Sequence, residues 1–292
     1  MPAAATEGGG SSYPNGVSTI NPGLEPSPAG LTLLDYNQFY SASHSRNSRG
    51  QDAIPGFHVS LAVTSPRLDY TFPDRWFPNG IRVGVQIVQP IFNSNLYTRF
   101  GANGPSRHNE TFGQGDTTIA PLVVGYKGKS ELLGDFATKF KLSVIVPTGE
   151  YNVANYVNRG RNYTSIQPQV GVQFFPRPDI SFGANFTYSY NTTNPATNYK
   201  SGQEFLTEFM AEYSPLPKLW VGVNGYAYRQ LTGDRKNGAA FQDGHFGSVV
   251  AIGPQVRYIT PLGAVTLKWQ HEMLVRNRAD GERIWLQLYV PL

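Results

Sequence analysis

From residue 30 to the end, the chain alternates apolar and polar positions. The alternation is cleanest where Ile180, Phe182, Ala184, Phe186, Tyr188 and Tyr190 are separated by Ser181, Gly183, Asn185, Thr187 and Ser189. A period of two belongs to an extended strand whose successive side chains point to opposite faces. The pattern returns in Phe136, Phe140, Leu142, Val144 and Val146, in Ile81, Val83, Val85 and Ile87, and in Val265, Leu267, Trp269 and Met273. Segments of this kind fall near 31–42, 54–71, 81–93, 115–127, 136–147, 163–175, 180–191, 203–214, 219–231, 247–260, 264–276 and 283–292. Each has about the length that a tilted membrane strand requires.

Alternation alone suits a soluble sandwich as well as a barrel. The connections separate the two. Those at 73–80, 127–135, 176–179, 215–217 and 261–263 are short and turn-like, whereas the intervening ones around 43–53, 94–114, 148–162, 192–202 and 232–246 are long and polar. Only 277–282 breaks the parity by being short. Bacterial barrels sort their loops this way, with short periplasmic turns and longer outer loops. The expected fold is therefore all-β, a transmembrane antiparallel β-barrel of about 12 strands, with both termini on the periplasmic side.

Aromatic residues fall at two levels of the outward set, Phe174, Tyr213 and Tyr258 at one and Tyr188, Tyr190 and Phe205 at the other, as interfacial girdles would. The closing run Ile284, Leu286, Leu288, Val290 and Leu292 is apolar on alternate residues, as in barrel C-termini, although the last residue is Leu rather than Phe. Three inward-running strands share Ile-x-Pro-x-Val, at 119–123, 166–170 and 252–256. Proline lacks a ladder donor, so each should mark a bulge or a local opening, either as a curvature device or as a lateral gap for an apolar solute. On the first of these strands Ala120, Leu122 and Val124 are expected to line the interior as an apolar slide.

Composition sharpens this picture. Aromatic residues make up 13% and charged residues 15% of the chain, with Gly 31 and Pro 22 spread throughout, a profile of strands and turns. Cysteine is absent, which excludes disulfides, thiolate metal sites and thiol redox chemistry. The formal charge of +4 is scattered without a basic block, which argues against a nucleic-acid partner. No apolar run reaches the roughly 20 residues of a spanning helix. Residues 1–6 resemble the end of a signal-cleavage site, so the chain reads as a mature form. Residues 1–30 are too rich in Gly, Pro and Ser for a packed element and are expected to form a flexible N-terminal arm ahead of a barrel at 31–292.

The polar half of the alternation names the expected lumen: Arg82, Lys139, Lys141, Gln167, Gln169, Gln173, Glu208, Glu212, Arg257, Lys268, Glu272 and Arg276. Lys139 and Lys141 should face Glu208 and Glu212 obliquely across the pore, either setting a transverse field in an open channel or pairing to fill a narrow one. Catalytic constellations are weak. Glu208 and Glu212 are about 13 Å apart along a strand, too far for a glycosidase pair. The five histidines share no ligand spacing, so no metal or other cofactor is expected. Gly113-Gln-Gly115 precedes a strand rather than a helix and lacks a lysine, so it is no phosphate loop. His271 and Ser248 both point outward on neighbouring strands, which leaves a barrel-borne hydrolase as a minor alternative to a non-enzymatic channel.

Three loop-proximal stretches carry a family resemblance: Val146-Pro-Thr-Gly-Glu-Tyr151 with Asn158-Arg-Gly-Arg-Asn-Tyr163, Asn198-Tyr-Lys-Ser-Gly-Gln-Glu-Phe205, and Gly225-Tyr226 with Gln230-Leu-Thr-Gly-Asp234. The opening Thr6-Glu-Gly-Gly-Gly-Ser-Ser-Tyr-Pro-Asn-Gly16 is similar to the same family's mature start. Together they resemble the outer-membrane channel family associated with the meta-pathway of phenol degradation. The resemblance implies a channel in the bacterial outer membrane for passive uptake of small hydrophobic or aromatic compounds. General diffusion of small solutes is the alternative. Membrane lipid and such solutes are the implied partners, and a monomer is expected. Mapped onto this chain, the family's marked positions are Thr148, Gly149, Glu150, Tyr151, Asn198, Tyr199, Ser201, Gly202, Glu204, Gln230, Gly233 and Asp234. By the loop parity they would ring the extracellular mouth, serving either turn geometry or solute admission.

Overall fold

A computed structural model describes residues 7, 9–77, 80–99, 105–131, 134–155 and 157–292. Twelve antiparallel strands close into a barrel. They are β1 (Gly30–Ser45), β2 (His58–Thr71), β3 (Ile81–Val88 continued by Ile91–Arg99), β4 (Ser106–Gln114 continued by Thr117–Ser130) and β5 (Gly134–Val146). The remainder are β6 (Ser165–Arg177), β7 (Ile180–Asn191), β8 (Glu204–Leu216), β9 (Leu219–Gln230), β10 (Ser248–Thr260), β11 (Gly263–Arg276) and β12 (Ala279–Pro291). Each pairs with its sequence neighbours, and β1 closes the wall by pairing with both β12 and β2. Closure leaves no wall-long unpaired edge, the condition for β-structure to cross a bilayer.

The outer face is apolar. Phe182, Phe186, Leu267, Trp269, Ile284 and Leu286 are all exposed there, which in a closed barrel means facing lipid. Tyr213 and Tyr258 lie exposed near the short-turn end, and Tyr190 and Phe205 near the long-loop end, at the two expected girdle levels. The protein is a transmembrane barrel.

β3 and β4 depart from the expected segments. Both are interrupted, at residues 89–90 and 115–116, and beyond the breaks they continue as a paired hairpin from Ile91↔Gln114 to Arg99↔Ser106. Much of the loop expected at 94–114 is therefore strand. Polar residues such as Asn93, Asn95, His108 and Glu110 give that hairpin no apolar period to read.

The three prolines act as their chemistry requires. At Pro121 the β4–β5 register jumps between Ile119↔Val144 and Leu122↔Leu142, a one-residue bulge. At Pro168 the ladder to β7 opens between Ile166↔Tyr190 and Gln169↔Thr187 without loss of register, and at Pro254 the ladder to β11 opens likewise. The Pro121 bulge reverses the side-chain phase. Ala120 and Val123 are buried inside, while Leu122, expected in the interior slide, is exposed outside. A second bulge at Leu274, with φ 54°, moves β11 out of phase after Met273. Val275 is buried and Arg276 points out, so Arg276 does not line the lumen as its spacing predicted.

The N-terminal segment supplies the largest difference from expectation. Instead of being loose, its described residues thread the barrel from end to end. Glu7 lies among the long loops, bonded to Ser201, Tyr151 and Thr197, and the chain then descends to enter β1 at the short-turn end. The described part of the arm thus starts at the long-loop end, not at the short-turn end expected for both termini. Its Gly, Pro and Ser content provides no core of its own. A lumen walled by polar side chains nevertheless satisfies its backbone groups.

Candidate functional site in the occluded lumen

Inward positions of the wall form a track for the arm. Wall glycines sit where it approaches most closely. A Cβ on Gly171 would lie 2.0 Å from the carbonyl oxygen of Pro22, and one on Gly125 would lie 2.3 Å from that of Glu25. Only glycine tolerates that proximity. On the β8–β11 side, Tyr13 of the arm packs with Leu206, Tyr226, Tyr228, Val249 and Val275 in an apolar seat.

Polar anchors hold the arm in register. Lys268 donates to the carbonyl oxygens of Gly16 and Val17, at 2.5 and 3.1 Å, and to Thr19 Oγ1 at 2.8 Å. Glu208 accepts from the backbone N–H of Ser18 at 2.8 Å and from Asn185 at 3.0 Å. Lower down, the Glu25 carboxylate binds Arg67 at 2.7 Å, Lys139 at 3.1 Å and Lys141 at 3.4 Å. Three cations of the wall thus converge on one carboxylate of the arm.

The lumen residues expected from alternation are otherwise placed as follows. Lys139, Lys141, Gln167, Gln169, Gln173, Glu208, Glu212, Arg257, Lys268 and Glu272 are buried inside the barrel. Arg82 lies at the short-turn end, bonded to Asp74 at 3.2 Å. The expected confrontation of Lys139 and Lys141 with Glu208 and Glu212 does not occur. Both lysines pair with Glu25, Glu208 holds the arm, and Glu212 pairs with Arg257 at 2.6 Å and Gln255 at 2.8 Å. Glu272 accepts from Tyr226 at 2.6 Å, Tyr40 at 2.9 Å and Arg283 at 3.1 Å. Sequence reasoning missed Glu25, Arg67 and Arg283. The first lies in a segment read as loose, while Arg67 and Arg283 continue the inward phase of β2 and β12.

The mouth residues fall into two groups. Tyr151, Ser201 and Glu204 receive the arm: the Tyr151 hydroxyl donates to Glu7, Ser201 accepts the Glu7 N–H at 3.1 Å, and Glu204 accepts from Ser12 at 3.2 Å. The second group is a staple around buried Asp234, which accepts from the Tyr199 hydroxyl at 2.5 Å, the Gly202 N–H at 2.7 Å and Gln230 at 2.8 Å. Gly233 abuts Gly244 beside it, and Asn198 takes a left-handed φ of 50° in the turn that leads into the small four-strand sheet above. Thr148 and Gly149 tie the β5–β6 loop to the β4 break, Thr148 through Thr117 at 2.9 Å and Gly149 through Asp116 at 2.9 Å. Glu150 pairs with Arg159.

Beside the arm lies a cavity of about 270 Å³. The arm walls one side through Tyr13 and Val17, and β12 and β1–β6 wall the other. Tyr36, Tyr40, Leu61, Val63, Phe92 and Ile145 give it an apolar lining. A second cavity of about 200 Å³ opens at the short-turn end against Gly23, Glu25, Pro26, Arg82 and Lys127. Glu25 lines this lower cavity and binds Arg67 and Lys141 of the upper one, so the arm stands between the two.

The sequence model of the family described as "Putative MetA-pathway of phenol degradation" matches residues 42–288. The chain belongs to that family. No curated protein matches it. The structure of this family member is similar to that of an outer membrane channel from Pseudomonas putida F1. The TM-score is 0.79 at 16% identity, covering 93% of this chain and 99% of that one. It also resembles the TodX monoaromatic hydrocarbon channel, with a TM-score of 0.47 at 9% identity over 98% and 95% of the two chains. The first likeness concerns the fold, and the second is too distant to carry an argument.

The pair raised for hydrolysis is not assembled. His271 stands opposite Ile252 and Ser248 lies four residues further along β10, about 13 Å away. His271 instead contacts Glu282 at 2.7 Å on the lipid-facing wall.

Proposed function

We propose that this barrel is a passive outer-membrane conduit for small hydrophobic or aromatic molecules rather than a water-filled pore. The observation that carries the reading is the aromatic- and aliphatic-lined cavity beside a plugged lumen. Its volume is close to the lower end of small-molecule sites, roughly 300 Å³. Polar solutes find no open path from end to end, because the arm occupies the lumen and stands between this cavity and the charged one at the short-turn end.

The wall offers such a solute a sideways exit. The cavity touches Pro90, Phe92, Asp116, Thr118 and Ala120, which border the breaks in β3 and β4 and the Pro121 bulge. Above the break, the β4 segment Ser106–Gln114 pairs only with β3 among the described residues, so its other edge has no described strand partner. A molecule held here is next to that edge, and an apolar one loses nothing by passing from it into lipid.

Filling the cavity tests the proposal. Val63→Trp should leave a folded barrel and reduce uptake of a toluene-like solute by cells to that of cells without the protein. Undiminished uptake in that variant would remove the cavity from the path.

A further inference from the structure

Around the floor of the cavity the charges do not balance. Arg67, Lys139 and Lys141 are three buried cations that share two carboxylates, Glu25 and Asp69, and no other acid makes an ion pair with any of them among the described residues. Arg67 is well served, with both oxygens of Asp69 at 2.6 and 2.7 Å and Glu25 at 2.7 Å. Lys141 is not. Its one carboxylate contact is the long one of 3.4 Å to an oxygen of Glu25 that Lys139 approaches to 3.1 Å. A buried cation so poorly neutralised favours an anion brought beside it.

The rest of the lining has the same bias. The one acid that lines the cavity is Asp116, and both its oxygens are taken by the backbone N–H groups of Gly149 and Arg161, at 2.9 and 2.7 Å. Four donors of cavity-lining residues, Gln38 Nε2, Asn15 Nδ2, Arg159 Nε and Arg278 Nη1, are buried without an acceptor among the described residues, against one unpartnered acceptor, Gln169 Oε1. Gln38 and Asn15 are 4% and 1% exposed. A wholly apolar occupant would leave all of these unsatisfied, at a cost for each donor.

We propose that the preferred occupant is an apolar or aromatic molecule bearing a single carboxylate head. The head sits against Lys141 at the cavity floor and the body lies along Leu61, Val63, Phe92 and Ile145. This deepens the uptake reading, on which it rests, by naming the substrate class.

The test is equilibrium binding of 4-phenylbutyrate and of its uncharged counterpart 4-phenylbutanol to the full chain in lipid nanodiscs, with empty discs subtracted. Wild type should bind the acid about tenfold more tightly than the alcohol, the effect of one charge-assisted hydrogen bond. Lys141→Gln should erase that preference by weakening the acid about tenfold more than the alcohol, and Lys141→Arg should restore it. Equal affinities in wild type, or equal weakening of both compounds in Lys141→Gln, would overturn the carboxylate assignment and leave apolar uptake standing. Binding of neither compound would overturn the cavity reading itself, and this inference with it.

Discussion

Removal of one charge at Glu25 should unseat the arm. Glu25→Gln keeps the shape of the side chain but leaves Arg67, Lys139 and Lys141 facing Asp69 alone. Breaking a buried ion pair from one side costs about 3–5 kcal/mol, chiefly through the stranded partner. Because the Glu25 side chain is 19% exposed, the lower end applies, and about 3 kcal/mol lowers the ratio of seated to unseated arm roughly a hundredfold. In planar bilayers the variant should conduct ions far more often than wild type at neutral pH. Acid strong enough to protonate Glu25 removes the same charge, so wild-type conductance should rise in acid toward that of Glu25→Gln, which should be high throughout. A variant indistinguishable from wild type at neutral pH would refute the role of Glu25 as the seal.

Other residues make separate tests. Gly171→Val places a side chain where a Cβ is 2.0 Å from the Pro22 carbonyl oxygen, so it should displace the arm and expose a cysteine placed at Thr19 to thiol reagents; continued protection would contradict the track. Asp234→Ala strands the Tyr199, Gly202 and Gln230 donors and should destabilise the outer loops by about 2–4 kcal/mol, read as faster proteolysis there without loss of the barrel. On intact cells, a cysteine at Ala196 should react with an impermeant label while one at Pro217 should not, and the reverse would invert the topology.

The sequence disclosed the wall better than its contents. Period-two patterning and loop parity located all twelve strands because lipid imposes an apolar outer face at every second residue. The errors cluster where one extra residue resets that phase. Pro121 was readable as a bulge, yet its consequence for Leu122 depended on which side of the proline the extra residue falls. The Leu274 bulge carries no proline or glycine to announce it, which is why Arg276 was assigned to the wrong face. The arm was misjudged for a different reason. A segment without apolar periodicity has no signature of burial in a polar lumen. Its partners, the wall glycines Gly125 and Gly171 and the cations of β2 and β5, are far away in sequence. Lys141 and Glu208 are both buried within the barrel, but the arm between them leaves no trace in strand spacing.

The central claim is that the cavity admits apolar molecules while the arm excludes polar ones. Its most direct measurement is the initial uptake of toluene and of a sugar or amino acid of similar size into cells with and without the protein. The account predicts that the protein raises toluene uptake and leaves polar solutes at the background rate. Equal acceleration of both would show a general diffusion pore and contradict it.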